Sequence, residues 1–524
     1  MNDKKGIYSI LAHGRSFKLK LMAEGVLVGV FSGFLVVFYR IALEKAEELR
    51  HGISDLISAN PKFIPIWFAV LIASGVIVGY MVKKEPLISG SGIPQVEGVL
   101  QRRLEMNWLS VMIRKIAGSV IAIGSGLSLG REGPSIQLGA AAGQGVSRIF
   151  KRLKVEEKYL ITSGASAGLA AAFNAPLAGV MFSLEELHRH FSPLILLSAM
   201  SASLTADFIS KHFYGLKPVF NFQRISPLPL ESYGYIIILG VIAGLCGALY
   251  NKVLLKTQSL YAGQKWLPVQ YRPVIPFIAA GFLLLILPQV LGGGHPIIDS
   301  LIRGSYTMKM MLVVLTVKFA FSMLSFGSGA PGGIFFPLLV LGALTGAIYG
   351  SALTSLLGFE PEYISNFIIL AMAGYFTAIV RAPITGSILI TEMTGSLSHL
   401  LSLSLVSIVA YATADLLKSE PIYESLLERL LKNQGKHEPE AESKDKVMLE
   451  IPVFLDSSMD CKRVKELELP KGCLIVSIRR GNKEIIPKGG TVLCSGDDLI
   501  VLANEDEAAP IKQKLLEMSS KPQV

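Results

Sequence analysis

Apolar residues run in long blocks through most of the chain, near 21–43, 64–82, 107–126, 158–187, 193–210, 233–255, 273–291, 308–326, 333–357, 364–393 and 398–417. Blocks of this length and composition predict helices that cross a bilayer. Several are too short, or too interrupted by glycine and proline, to be simple spans, so broken helices are expected among them. After Pro421 the pattern changes. Residues 432–446 (KNQGKHEPEAESKDK) are polar and charged and offer nothing from which to build a core. Beyond them come short runs of β type at Leu449 to Leu455, Cys473 to Arg479, Thr491 to Cys494 and Asp498 to Ala503. Helix-like stretches at Met459 to Leu467 and Glu505 to Glu517 frame these runs, which predicts a small α/β module. The chain divides into an N-terminal segment 1–20, a membrane domain 21–431, a linker 432–446 and the module 447–524.

The membrane part carries a repeat. Pro134-Ser-Ile-Gln-Leu-Gly139-Ala140-Ala-Ala-Gly143 returns as Pro337-Leu-Leu-Val-Leu-Gly342-Ala343-Leu-Thr-Gly346. Ala175-Pro176-Leu-Ala-Gly179 followed by Glu185 returns, at nearly the same offset, as Ala382-Pro383-Ile-Thr-Gly386 followed by Glu392. Broken helices in duplicated halves point to an ion or solute site where the halves meet. Small-residue runs such as Gly139 to Gly143 and Gly164 to Ala172 suit backbones that approach closely, as packed membrane helices require.

Composition agrees with this class. Hydrophobic residues make up 51% of the chain and charged residues 17%, unlike an ordinary soluble protein. Lys4, Lys5, Arg15, Lys18 and Lys20 precede an apolar block too long for the core of a cleavable signal, and they place the N-terminus in the cytoplasm. The net charge of +10 comes from Lys and Arg scattered over loops, without the aromatic-interleaved stripe of a nucleic-acid surface. Membrane orientation and anionic lipid account for it better, so nucleic acid is not an expected partner. Cys246 lies in an apolar run, and Cys461, Cys473 and Cys494 lack zinc-finger or Cys-x-x-Cys spacing, which reads as free thiols in a reducing compartment. Enzyme chemistry finds no support in the order of Ser, His and Asp, in a metal-ligand cluster or in a phosphate-binding Gly-Lys-Ser/Thr loop, and no cofactor is expected.

Three glycine-rich segments carry the chemistry: Gly90-Ser91-Gly92-Ile93-Pro94, Gly130-Arg131-Glu132-Gly133-Pro134 and Gly332-Gly333-Ile334-Phe335-Phe336-Pro337. Each puts flexible backbone ahead of a proline suited to the first position of a helix. Helix starts that converge present N–H groups and positive dipole ends, which attract an anion without a full buried charge. A desolvated Lys or Arg would hold the anion too tightly for it to leave. A carboxylate at such a start, Glu132, can occupy the anion position itself. Once protonated it is neutral and free to swing out.

Together and in this order these segments resemble the CLC family of chloride channels and transporters, over about residues 20–425. Ala172-Phe-Asn-Ala-Pro-Leu-Ala-Gly179, Glu185-Glu186 and Pro421-Ile422-Tyr423 extend the resemblance. It implies an all-α polytopic membrane domain of two inverted repeats with broken helices, and an anion pathway in each subunit of a homodimer. Ser91 Oγ, Tyr423 Oη and the backbone N–H groups of Ile334 and Phe335 would bind chloride. Gly90, Gly92, Pro94, Gly130, Arg131, Gly133, Pro134, Gly333 and Pro337 would shape the loops, while Lys115 and Glu97 match charged positions with a structural or electrostatic part. Glu132 would be the gating glutamate. Glu186 falls where family exchangers carry a glutamate that receives protons from the cytoplasm and where family channels carry an apolar residue. Relatives tuned to nitrate tend to have Pro at the Ser91 position, so Ser91 favours chloride, with nitrate or bromide as alternative anions. Gln95 departs locally from a carboxylate often found in relatives.

The module 447–524 resembles the TrkA-type C-terminal (RCK-C) domain through Gly472 to Gly481, Ile486-Pro-Lys-Gly489-Gly-Thr491 and Gly496-Asp-Asp498-Leu-Ile-Val501. The resemblances together imply H⁺/Cl⁻ exchange in a multi-pass inner-membrane protein with both termini cytoplasmic and a module that senses a small ligand. A voltage- or ligand-gated chloride channel without proton coupling is the alternative reading, and a mainly ligand-sensing membrane protein is the next.

Overall fold

The first long block is helical well past its apolar part: α1 runs from Gly14 to Ala59, beyond 21–43 at both ends. Its polar end is supported by local charge pairing such as Lys45–Glu48, three residues apart at 2.7 Å, which hydropathy does not register. The structure, a computed structural model, describes residues 14–520 except 190, 217, 221, 223–225, 265, 434–445 and 482. Most of the expected linker therefore lies outside the described residues. The chain forms two compact units, Met1–Asn433 and Gln434–Val524. Among the described residues, nine helices are long and apolar enough to cross a membrane.

The first unit is built twice. After α1 come α2 (Ile64–Lys84), α3 (Ile93–Leu100), α4 (Trp108–Gly124), α5 (Glu132–Ile149), α6 (Lys154–Phe173), α7 (Pro176–Phe182) and α8 (Pro193–Tyr214). The same succession follows as α9 (Tyr233–Gly263), α10 (Val274–Ile286), α11 (His295–Ile302), α12 (Met308–Gly327), α13 (Phe335–Leu357), α14 (Ile364–Val380), α15 (Pro383–Thr394) and α16 (Leu400–Leu416). A last helix, α17 (Ile422–Asn433), has no counterpart in the second succession.

The blocks 158–187 and 364–393 break as their prolines dictate. Asn174 (φ 53°) and Arg381 (φ 73°) end α6 and α14 in the left-handed region, and Pro176 and Pro383 then open α7 and α15. Proline has no N–H to donate and keeps the residue before it out of the helical region. A π-helical turn, Ser183–Leu187, continues α7 and carries both Glu185 and Glu186.

The small-residue runs bring backbones together. A Cβ on Gly139 would collide with the carbonyl of Gly164, and one on Gly164 with the carbonyl of Gly139, so α5 and α6 meet through glycine. In the second half a Cβ on Gly342 would stand 2.8 Å from the carbonyl oxygen of Ala371, which places α13 against α14 in the same way.

The halves are also clasped by two carboxylates. Glu185 accepts hydrogen bonds from the N–H groups of Ile384 (3.1 Å) and Thr385 (2.7 Å) and from Thr385 Oγ1 (2.7 Å) at the start of α15. Reciprocally, Glu392 accepts from the N–H groups of Leu177 (3.1 Å) and Ala178 (2.8 Å) at the start of α7. Each half thus caps a short helix of the other with a negative charge at its positive end. Glu185→Ala should therefore lower stability by about 1–3 kcal/mol, the cost of stranding donors that faced a charged acceptor. Thermal unfolding in detergent measures this loss.

The second unit is a four-stranded antiparallel sheet in the order β1-β4-β2-β3 with β1 Lys446–Pro452, β2 Cys473–Arg480, β3 Lys483–Ile485 and β4 Asp497–Asn504, followed by α18 (Glu505–Ser520). Ile451, Met459, Ile475, Ile478, Leu499, Val501 and Leu515 form its core. Two expectations need correction. Residues 491–494 make only an isolated bridge, Arg463 to Val492, while the third strand is 483–485, a short polar run that periodicity passes over. The stretch 459–467 holds just one 3-10 turn, Val464–Glu466, because its backbone bonds go to residues 489–493. Burial pushes the Asp497 carboxyl up, but the Arg480 guanidinium, bonded to both its oxygens at 2.7 Å, and the Cys494 N–H outweigh that and hold it below its ordinary value.

Candidate functional site

The three glycine-rich segments meet. Gly130 and Gly333 exchange both backbone hydrogen bonds at 2.7 Å, and the Gly332 N–H donates to the Gly90 carbonyl at 3.0 Å. Two strand-like contacts thereby join the loops before α3, α5 and α13, and bring residues of both halves to one point. A Cβ on Gly133 would lie 2.8 Å from the Ser91 carbonyl and closer still to its hydroxyl, so glycine is required where these backbones touch. The prolines sit slightly later than expected: Pro94 is the second residue of α3, and Pro134 and Pro337 are the third of α5 and α13. This costs nothing, because no N–H of the first turn has an acceptor within its own helix.

Lys115 explains how the first loop is held open. Its ammonium is fully buried and donates to the carbonyls of Ile88 (2.9 Å) and Gly90 (2.7 Å). In a trans peptide the N–H points away from the C=O, so binding the Gly90 carbonyl turns the Ser91 N–H to the opposite side of the loop. The buried charge is satisfied by carbonyl dipoles and stays away from the anion side.

The second half repeats the device. Lys318, also fully buried, donates to the carbonyls of Val290 (2.9 Å) and Gly292 (2.6 Å), and Gly294 (φ 101°) opens α11 as Gly92 (φ 96°) opens α3. Sequence reasoning missed Lys318 and the loop Gly292 to Pro296. The signal was there, since the offset that carries Pro134 onto Pro337 carries Lys115 onto Lys318.

Ser91 and Tyr423 are buried, and neither Ser91 Oγ nor Tyr423 Oη has a hydrogen-bond partner among the described residues. Two orphaned hydroxyls are costly unless something accepts from them. Ile334 and Phe335 are the N-cap and first residue of α13, and the Phe335 ring packs on Phe173 (5.1 Å) and Phe376 (4.8 Å), which fixes that helix start. Glu132 opens α5, is 1% exposed, and keeps Oε2 without a partner. Its carboxylate faces the N–H groups of its own residue and of Phe336, with Arg131 Nε at 4.0 Å. Tyr423 lies within electrostatic reach of both Glu132 and Glu186.

Glu186 is buried with Oε1 unpartnered, unlike its neighbour Glu185, which is spent on α15. Glu97, Arg189 and Glu424 surround it electrostatically. Arg189, held at φ 54°, reaches Glu97 (Nη2 to Oε1, 3.5 Å) and Glu424 (Nη1 to Oε2, 3.0 Å). α17 therefore carries, as consecutive residues, Tyr423 within electrostatic reach of Glu132 and Glu186 and Glu424 bound to Arg189. The bridging by Arg189 was not legible from spacing, because its partners come from α3 and α17.

Two cavities approach from different sides. One, of about 390 Å³, is lined by Glu132 and Arg131 with Glu44, Glu47, Arg50 and His295. The other, of about 340 Å³, is lined by Ser91 and Gln95 but not by Glu132. Glu132 lines one cavity and Ser91 the other, while Tyr423 lines neither. Such an arrangement offers a small anion partial charges between the two cavities, with the buried carboxylate of Glu132 on the wall of one of them.

Comparison with known proteins bears on this geometry. The profile of the family described as "Voltage gated chloride channel" matches residues 74–415, and that of the TrkA-C domain matches residues 448–515. The chain is 34% identical over 440 residues to the H(+)/Cl(−) exchange transporter ClcA of Vibrio vulnificus, covering 82% of this chain and 94% of the relative. It is 36% identical over 423 residues to the protein of the same name from Vibrio cholerae, covering 78% and 89%. Among solved structures, a slow cyanobacterial Cl⁻/H⁺ antiporter superimposes with a TM-score of 0.76 at 29% identity, over 79% of this chain and 99% of that one. A CLC-type fluoride/proton antiporter shares the fold at 23% identity with a TM-score of 0.66, over 78% and 98%.

Proposed function

Since the chain belongs to the family of voltage-gated chloride channels, we propose that it exchanges chloride for protons across an inner membrane, with both termini cytoplasmic. Ser91 Oγ and Tyr423 Oη donate to chloride, and the N–H groups of Ile334 and Phe335 complete the shell. Glu132 competes with chloride for that position, and on protonation it turns into the cavity lined by Arg131 and His295. Glu186 takes protons from the opposite side, past Glu97, Arg189 and Glu424. The process is transport without an enzymatic step, in a homodimer whose subunits each carry a pathway. The observation that carries this reading is the pair of buried hydroxyls without acceptors, set beside two buried carboxylates that each keep an oxygen free. Relatives at about this level of identity are named exchangers, which supports coupling over simple conduction.

The deciding experiment is reconstitution in liposomes with chloride and proton fluxes recorded together. Uphill proton movement driven by a chloride gradient is the expected result. Chloride flux with no proton movement would make the protein a channel.

Selectivity is tested at Ser91. Ser91→Pro removes the side-chain donor, and chloride binding should weaken by about ten- to 150-fold, the worth of one hydrogen bond to a charged acceptor of about 1.5–3 kcal/mol. Nitrate should gain relative to chloride. Calorimetry with both anions measures the change, and unchanged affinities would remove Ser91 from the site.

The TrkA-C module is read as a regulator that answers a small cytoplasmic ligand. Each unit has its own core, so truncation after Asn433 should leave a folded exchanger whose rate no longer responds to ligands of the module. Identical flux from truncated and full-length protein, with no ligand shifting the melting of residues 447–524, would leave the module a structural element.

A further inference from the structure

The cavity that opens onto Ser91 has an unusual charge. Arg272, Arg429 and Lys432 line it, and no Asp or Glu does. The cavity at Glu132 is mixed, with Arg50 and Arg131 set against Glu44 and Glu47. None of the three cations takes part in an ion pair among the described residues. Arg429 is anchored through Nη1 to the Leu255 carbonyl (2.7 Å) and Ser259 Oγ (2.9 Å), which fixes the plane of its guanidinium while its other nitrogens stay uncommitted. Arg272 spends only Nε, on the Leu267 carbonyl at 3.4 Å.

The wall between them is polar, buried and neutral. Gln95 donates from Nε2 to the Ser89 carbonyl at 2.7 Å, and Ser91 is 2% exposed with its Oγ unpartnered. Three uncompensated cations repel one another and gain only when an anion joins them. Chloride is handled deeper in by hydroxyl and amide dipoles, which suffice for a monovalent ion that must leave again. Full charges at the mouth, two of them planar forks, instead match a multivalent anion with several oxygens.

We propose that this basic vestibule binds a multivalent phosphate-bearing anion, and that the bound anion competes with chloride for access to Ser91. The effect on transport rests on the reading of this cavity as the cytoplasmic mouth of the chloride path; the binding does not. The same chemistry is offered by a soluble polyphosphate and by a phosphate headgroup of lipid, and the two are separable.

Binding is read first, by calorimetry of the full-length protein in detergent with tripolyphosphate in magnesium-free buffer. Arg272→Gln combined with Lys432→Gln should weaken it by at least about tenfold, since each charge-assisted contact is worth more than a neutral one. Arg429 is left intact because it ties α17 to α9, and size-exclusion chromatography checks that the double variant keeps its native elution. In phosphatidylcholine liposomes with tripolyphosphate on both faces, the half-saturating chloride concentration should rise at least about threefold while the maximal rate holds, as competition at the mouth requires. The double variant should lose that rise, each protein being compared with itself in the absence of tripolyphosphate. A slower rate in phosphatidylglycerol vesicles without tripolyphosphate, relieved by the double variant, would instead assign the lipid headgroup as the source. Equal tripolyphosphate affinity in wild type and double variant, or no binding and no lipid effect, overturns the proposal. Binding that depends on the two cations without any change in chloride transport keeps the site and sinks the competition.

Discussion

Glu132→Ala is expected to abolish proton movement while chloride continues to flow. The carboxylate is the one titratable group at the start of α5, it faces the Phe336 N–H of the other half, and it borders the cavity opposite Ser91. In the proposed exchange, removing it takes away both the plug that competes with chloride and the carrier that takes the proton. Proton flux driven by a chloride gradient should fall by about 10²-fold or more, the lower end of what a positioned proton-transfer group contributes. Chloride flux should also lose its dependence on pH, because no protonation any longer clears the pathway. Paired flux recordings from wild-type and variant liposomes between acidic and neutral pH measure both effects. Full, pH-dependent exchange in the alanine variant would remove Glu132 from the gate.

Glu186→Ala should have the second largest effect, again of about 10²-fold on proton flux, with chloride still passing. The contrast with Glu185 makes this a sharp test. Adjacent in sequence and carried on the same π-helical turn, the two residues differ in where their oxygens go: Glu185 is consumed by the start of α15, while Glu186 is buried beside Glu97 and Arg189 with an oxygen unspent. Glu186→Ala should uncouple a protein of nearly normal stability. Glu185→Ala should destabilise a protein of normal coupling. Opposite results would exchange the two assignments.

Much of this site was legible in the chain. Glycine and proline announce backbone breaks through local sterics alone, so the starts of α3, α5 and α13 could be placed within a residue or two, while 158–187 and 364–393 read as undivided blocks although Pro176 and Pro383 break them. Glu132 and Glu186 stand out because ionisable groups in apolar surroundings are rare without a role. The repeat was visible in Pro134 and Pro337 and in Pro176 and Pro383. The loop Gly292 to Pro296 escaped notice because it shares little with Gly90 to Pro94 beyond glycine and proline, although Lys318 treats it as Lys115 treats its own loop. In the module, hydropathy found the buried strands β1, β2 and β4 and missed β3, whose residues are largely exposed.

The sequence by itself determined the helices and their breaks, the duplication, the boundary near Asn433 and the residue types able to hold an anion and a proton. These follow from hydrophobicity, from proline and glycine geometry and from local charge, which act over a few residues. Only the tertiary structure decided that Gly130 pairs with Gly333, that Glu185 and Glu392 cap each other's half, that Arg189 joins Glu97 to Glu424, and that Arg272, Arg429 and Lys432 share one cavity. Each of these joins residues far apart in the chain. Their meeting depends on how the two halves dock, and docking is set by the close approach of glycine-lined helices and the satisfaction of buried polar groups, neither of which has a period that a linear chain displays.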